Sequence, residues 1–248
     1  AEEAGVYLRN LRSILQYIGI CDGNMEEGSL RCDANVSVRR VGTESLGTRT
    51  ETKNLNSFKA VEKAIRYETQ RQIGVVESGE RVVQETRLWD SEREITRTMR
   101  SKELAHDYRY FPDPDLMPLV VDDHWIARER ESIPELPSAR RERFVRHYGL
   151  PSYDAEILTA RRDVADYFEA AVVSCPDEAK LVSNWVMDVA LRFIKEEKLD
   201  ATLQIREWPC PPEHIGRLVS LIKNEVISGT IAKTVFSEMR KNQLSPED

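Results

Sequence analysis

The four cysteines of this 248-residue chain, Cys21, Cys32, Cys175 and Cys210, are scattered, and none forms a CxxC pair or stands beside a histidine at ligand spacing. That pattern excludes a zinc knuckle and a disulfide framework, and it predicts free, mostly buried thiols in a cytoplasmic protein. No apolar run approaches the roughly 20 residues of a membrane helix. The start, Ala1-Glu2-Glu3-Ala4-Gly5, is acidic and lacks an initiator Met, so no signal peptide is expected and the chain reads as a piece of a longer protein. Neither a GxxxxGK[ST] loop nor a GxGxxG turn is present. A nucleotide, if bound, therefore sits on a sheet face rather than at a glycine-rich helix start. A GxSxG elbow, an SxxK pair and a Cys-His pairing are also missing. His106, His124, His147 and His214 are isolated, which favours surface or capping roles over catalysis. An excess of positive charge is lacking too. The net charge of -7 and pI near 5.4 argue against nucleic-acid binding by overall charge. The local exception is Arg140, Arg141, Arg143 and Arg146, with Glu131, Glu135 and Glu142 nearby. It reads either as a solvated helix face or as a phosphate-binding patch.

What is present is enough apolar residue, 40%, for one large or two ordinary domains. Gly5 to Tyr17 has apolar residues at helical spacing, and Gly19 and Gly23 break it. Ser29 to Arg40 alternates strictly, with Leu30, Cys32, Ala34, Val36 and Val38 on one side. A polar loop, Val41 to Gly47, leads to a second alternating run, Thr48 to Leu55, and the simplest pairing is an antiparallel hairpin. Asn56 or Ser57 caps a helix running to about Gln72, with Val61, Ala64, Ile65 and Tyr67 on its buried side. Arg81 to Trp89 and Ile95 to Arg100 are further strands, and Asp107 to Leu119 is extended loop. The proline-bearing stretch Glu131 to Pro137 reads as a connector. Beyond it every periodic segment is helical: Ser138 to Tyr148, capped by Ser138, then Tyr153 to Thr159, Arg162 to Val173, Asp177 to Lys198, Pro212 to Ser228 and Ile231 to Lys241. The expected architecture is α+β, an antiparallel-sheet domain over 1–128 followed by an all-helical domain over 129–248, with no internal repeat.

The stretch that carries chemistry is Met25 to Ser57. One strand presents Arg31, Asp33, Asn35 and Arg39. Its neighbour presents Arg49, Glu51 and Lys53, and Glu26 and Glu27 stand at the entrance. Cross-strand salt bridges alone would account for such a face. The functional reading is that the carboxylates offer hard oxygens to Mg²⁺ while Arg and Lys hold phosphate oxygens. Spacing does not decide between the two.

The blocks MEEGSLRCDANVS (Met25 to Ser37), ETKNLNSF (Glu51 to Phe58), QETRLWD (Gln84 to Asp90), MRSKE (Met99 to Glu103) and DYRYFPDPDL (Asp107 to Leu116) follow one another in the order of a known family. Ile133-Pro134-Glu135-Leu136-Pro137 and Ser183-Asn184-Trp185 extend the match into the helical half. With these blocks the chain resembles the B subunit of the bacterial aspartyl/glutamyl-tRNA amidotransferases.

The resemblance implies an incomplete catalytic cradle akin to glutamine synthetase and guanido kinases. It implies ATP- and Mg²⁺-dependent phosphorylation of the side-chain carboxylate of Glu on tRNA(Gln) or Asp on tRNA(Asn). Ammonia made by the family's A subunit, a glutaminase, then completes the amide, and a small C subunit ties A and B together. A tRNA-binding or scaffolding protein without chemistry is the alternative. Carried onto this chain, the family pattern makes Glu51 the first metal ligand, followed by Glu27 and Asp33. Arg31, Asn35, Arg49, Lys53 and Asn54 become catalytic candidates, and Arg31, Lys53 and Arg100 nucleotide-binding ones. Asn56 either orients substrate or caps its helix. Lys102, Asp107, Tyr108 and Arg109 have mainly structural roles. The family's chains begin well before Ala1, with further metal ligands and often a four-cysteine zinc site, and continue into a tRNA-gripping tail. The 248 residues alone are therefore expected to be inactive.

Overall fold

The computed structural model describes residues 1–101, 114–191, 210–242 and 244–248. The side chain of Arg100, residues Lys102, His106, Asp107, Tyr108 and Arg109, and the far end of the helix expected over Asp177 to Lys198 lie outside the described residues. The fold is α+β. By internal contacts it divides into one unit of residues 1–15 and 21–132 and another of 16–20 and 133–248.

The first unit is built on four strands in spatial order β1-β2-β3-β4: β1 (Cys32–Val36), β2 (Thr50–Leu55), β3 (Glu85–Asp90) and β4 (Ile95–Ser101). The expected antiparallel hairpin is β1–β2, and β3–β4 is a second antiparallel pair. The antiparallel pairs are joined into a mixed sheet at the centre, where β2 and β3 run parallel, a pairing that the sequence does not specify. The reason is the helix between them. Parallel neighbours need a long crossover, and α2 (Phe58–Glu77) supplies it. Ser57, in extended conformation, caps α2 by accepting a hydrogen bond from the Ala60 amide at 3.1 Å, so the capping role belongs to Ser57 rather than Asn56. Ala60, Val61 and Ala64 of α2 pack against Ala34, Leu55 and Trp89, and Leu8 of α1 (Glu2–Tyr17) joins them. Trp89 meets the Tyr67 ring edge-on.

One helix was not anticipated. Asp123–Ser132 (α3) spans the expected domain boundary at 128/129 and ends just inside the expected connector, with the Asp122 carboxylate accepting from the Trp125 amide at 2.7 Å. None of its residues is buried, so it lacks the apolar stripe that would have revealed it.

The second unit is helical: α4 (Pro137–Tyr148), α5 (Ser152–Thr159), α6 (Arg162–Val173), α7 (Ala179–Trp185), a π-helical stretch over Val186–Leu191, α8 (Pro212–Lys223) and α9 (Gly229–Asn242). Ser138 is not the cap of α4. The chain enters at Leu136 with Pro137 in the first turn and no side-chain cap, because proline has no amide hydrogen to satisfy and a φ already set for helix. Gly149 ends α4 with φ of 64°. Phe144, Leu158, Phe168, Val182, Leu218 and Ala232 are among the residues of one continuous core. All four cysteines are free, and Cys175 and Cys210 are buried.

Candidate functional site

Alternation sorts β1 and β2 into two faces. Ala34, Val36, Thr50 and Thr52 turn toward α2, while Asp33, Asn35, Glu51 and Lys53 turn away. Between the pairs Cys32–Leu55 and Ala34–Thr52, β1 contributes Asp33 alone and β2 contributes both Lys53 and Asn54. This is a β-bulge. Its extra residue is Asn54, with φ of 67°, whose side-chain amide donates to the Trp89 carbonyl at 3.1 Å. The bulge returns Leu55 to the core and leaves Lys53 facing outward beside Asp33.

On that outward face the Lys53 ammonium donates to Asp33 Oδ2 at 2.6 Å and lies 3.4 Å from Glu51 Oε1. The other Glu51 oxygen accepts from the Thr86 hydroxyl at 3.0 Å. Asn35 is opposite Glu51 in register. The hydrogen bond to Asp33, and after it the field of the two carboxylates, raises the Lys53 pKa above its ordinary value despite partial burial. Lys53 and Asp33 keep 35% and 44% side-chain exposure, so the cluster can be reached from solvent.

The other site candidates flank this group. Arg31 precedes β1 and Arg49 precedes β2, and both are exposed. Glu27 is exposed in the turn Met25 to Gly28. The Arg100 backbone pairs with Thr86, next to Glu51 in register. Among the described residues no three His, Cys, Asp or Glu come together as a metal-holding group. On the outward sheet face the two acids Asp33 and Glu51 are bridged by Lys53.

Behind the sheet lies a network that the sequence did not announce. Glu68 of α2 is fully buried and accepts from Thr50 of β2 at 2.7 Å, Thr96 of β4 at 3.1 Å, Gln72 at 3.0 Å and Arg71. Arg87 of β3 approaches its second oxygen. Burial alone would raise the Glu68 pKa, but the bonds from Arg71, Gln72 and Thr50 outweigh it and hold the carboxyl at about 2. Gln72 also donates to the Val36 carbonyl of β1. One helix thereby fixes the strands that present Asp33, Glu51 and Lys53. Spacing gives the one available signal, since Ala60, Ala64, Glu68 and Gln72 form an i, i+4 stripe.

In the helical unit the basic cluster of α4 is neither a solvated face nor a free patch. Arg140 is buried and reaches Asp166 and Glu169 of α6, while Arg143 reaches Glu135 and Glu169. Only Arg141 and Arg146 remain exposed, and Arg146 faces Glu142 at 3.7 Å. An open depression of about 470 Å³ beside them is lined by Glu135, Glu142, Arg143, Arg146 and His147 and so carries both signs of charge.

Residues 1–127 match the family model described as the GatB/GatE catalytic domain, and residues 166–248 match the one described as the GatB domain. The chain belongs to the GatB family. It is 55% identical over 248 residues to the aspartyl/glutamyl-tRNA(Asn/Gln) amidotransferase B subunit of Chlorobium limicola, covering 100% of this chain and 51% of that protein. The B subunit of Chlorobium phaeobacteroides is 58% identical over 239 residues, 96% of this chain and 49% of the relative. That of Nitrosococcus oceani is 55% identical over the same share of each. The chain thus spans about half the length of the curated relatives it matches. Within the GatB match, the Asp33–Lys53–Glu51–Thr86 group falls in the segment assigned to the catalytic domain. No helix among the described residues is long and apolar enough to cross a membrane.

Proposed function

We propose that this chain supplies part of the site at which the side-chain carboxylate of Glu on tRNA(Gln), or of Asp on tRNA(Asn), is phosphorylated by ATP with Mg²⁺ and then amidated. One observation carries the reading. Asp33, Lys53 and Glu51 are joined on one sheet face that solvent reaches at Asp33 and Lys53, with the buried Thr86 hydroxyl holding Glu51 from beneath, inside a match to a catalytic-domain model. The relatives' names supply the two tRNAs and the amidotransferase reaction.

A carboxylate is a poor acyl donor. One of its oxygens attacks the γ-phosphorus of ATP, the bond to the β–γ bridging oxygen breaks, and ADP leaves. Ammonia then attacks the carbonyl carbon, phosphate leaves with the former carboxylate oxygen, and nitrogen loses a proton. Lys53, held charged by Asp33, offsets the negative charge that gathers where two anions meet. We assign Arg31, Arg49 and Arg100 to phosphate oxygens. We assign Asn35, opposite Glu51 in register, to orienting the acyl group and give Asn54 an indirect role through the bulge it forms.

The residues fit a divalent ion. Asp33 and Glu51 are hard oxygen donors already bridged by one cation, the Lys53 ammonium. Two carboxylates suit Mg²⁺, which retains waters and takes phosphate oxygens as further ligands. Glu27, from the preceding turn, is the third acid assigned to it. When bound, Mg²⁺ neutralises charge on the reacting anions. Ammonia would come from a glutaminase partner, the A subunit, with a C subunit joining the two, in the cytoplasm.

A non-catalytic tRNA adaptor is the weaker reading. It leaned on the α4 arginines, and Arg140 and Arg143 are engaged by carboxylates. Glu51→Gln in the assembled amidotransferase separates the two. ATP-dependent activation should be lost while tRNA binding persists, and unchanged activation would refute the assignment.

A further inference from the structure

Between β1 and β2 the chain runs SVRRVGTESLGTR, Ser37 to Arg49, with Arg39, Arg40 and Arg49 against the single acid Glu44. The loop is closed rather than loose. The Arg40 carbonyl accepts from the Thr43 hydroxyl at 2.7 Å and from its amide at 3.2 Å, and Gly42 turns the chain with φ of 86°. Its two arms meet where a Cβ on Gly47 would lie 2.0 Å from the Val38 carbonyl oxygen, so only glycine permits the approach. Arg39 donates to the Glu44 carbonyl at 2.7 Å, a bond that fixes the guanidinium without neutralising it. Neither Arg39 nor Arg40 forms an ion pair among the described residues, and both are exposed.

This reverses the distribution read from sequence. The densest run of arginine, on α4, has its two inward members matched by Glu135, Asp166 and Glu169. On the ordered hairpin turn Arg39 and Arg40 keep their charge without an ion-pair partner among the described residues, in a chain whose net charge of -7 otherwise repels polyanions. The hairpin also adjoins the proposed site. Arg49 is two residues ahead of Glu51, about 7 Å along an extended strand.

We infer that the β1–β2 hairpin is an RNA phosphate contact made through Arg39 and Arg40, gripping the backbone of the tRNA whose acyl end lies over Asp33, Glu51 and Lys53. The inference rests on the function proposed above and adds the surface that holds the substrate. Contact of this kind fixes position rather than reads sequence.

The test is a salt titration of tRNA binding by the full-length protein in its assembled complex, with an unmodified tRNA(Gln) or tRNA(Asn) transcript as probe. Arg39→Gln/Arg40→Gln should weaken binding and reduce the slope of log K against log salt by about 1.4 to 1.8, near 0.7 to 0.9 per lost phosphate contact. Arg40→Gln alone, which breaks no internal bond, should give about half that change. Arg141→Gln/Arg146→Gln should leave the slope as in wild type. An unchanged slope in the hairpin variants, with wild-type binding intact, overturns the hairpin contact alone. So does an equal drop in the α4 variant, which would assign the effect to net charge. No tRNA binding by the wild-type complex would instead sink the function proposed above.

Discussion

Glu68, in the middle of α2, holds its Oε2 3.4 Å from Nε of Arg87 on β3, with Glu68 fully and Arg87 almost fully shut away from solvent. The same carboxylate takes hydrogen bonds from Thr50 and Thr96, and its helical neighbour Gln72 reaches Val36. A single acid and amide thus connect one helix to every strand of the sheet. Removing the acid leaves the buried Thr50 and Thr96 hydroxyls and the Gln72 amide without their acceptor and takes from Arg87 one of its two carboxylates, Glu85 being the other. Glu68→Ala is therefore expected to destabilise the chain by about 3–5 kcal/mol in urea unfolding. A loss under about 1 kcal/mol, the worth of a surface ion pair, would contradict the burial assigned to it.

The same group sets an acid limit. Its folded pKa, about 2, lies below its ordinary 4.5. A depressed carboxyl contributes stability that is fully present above the unfolded value and disappears as pH falls through the folded one. The stability gap between wild type and Glu68→Gln should be constant above about pH 5 and shrink between roughly pH 4.5 and 2, with a total on the order of 3 kcal/mol. A gap that instead closes near pH 7 would show that another group controls it.

Asn54 makes a more local prediction. Its left-handed backbone is costly for most side chains, and its amide holds the Trp89 carbonyl. Asn54→Ala should cost about 1–2 kcal/mol and Asn54→Gly less, since glycine accepts positive φ. The reverse order, measured by thermal unfolding, would mean that the backbone conformation does not set the cost.

These features show where sequence reading succeeds and where it stops. Alternation in Asp33, Ala34, Asn35 and Val36 was visible directly, and so was the helix over Arg162–Val173. Leu55 had the wrong parity for a core residue beside Glu51 and Lys53, and only the bulge at Asn54 explains it. The parallel β2–β3 pairing was hidden because pairing partners are chosen in space, although a helix of 20 residues between two strands hinted at a crossover. Glu68 and Gln72 share the stripe of Ala60 and Ala64, but their burial was not read from sequence, since burying a charge is disfavoured until partners from three strands surround it. Likewise the arginines of α4 showed their charge but not their partners, because Asp166 and Glu169 come from another helix. Asp33, Glu51 and Lys53 were legible as neighbours. Their ionic bridge required the register.

The most direct test follows the oxygen atoms. Glu-tRNA(Gln) or Asp-tRNA(Asn) with ¹⁸O at both side-chain carboxylate oxygens is turned over once by the assembled enzyme with ATP and ammonia, and the released phosphate is analysed by mass. The account predicts one ¹⁸O per phosphate with the wild-type chain, and none with Glu51→Gln under conditions where tRNA is still bound. Amide formed without label in the phosphate, or label transferred equally well by the Glu51→Gln enzyme, would contradict it.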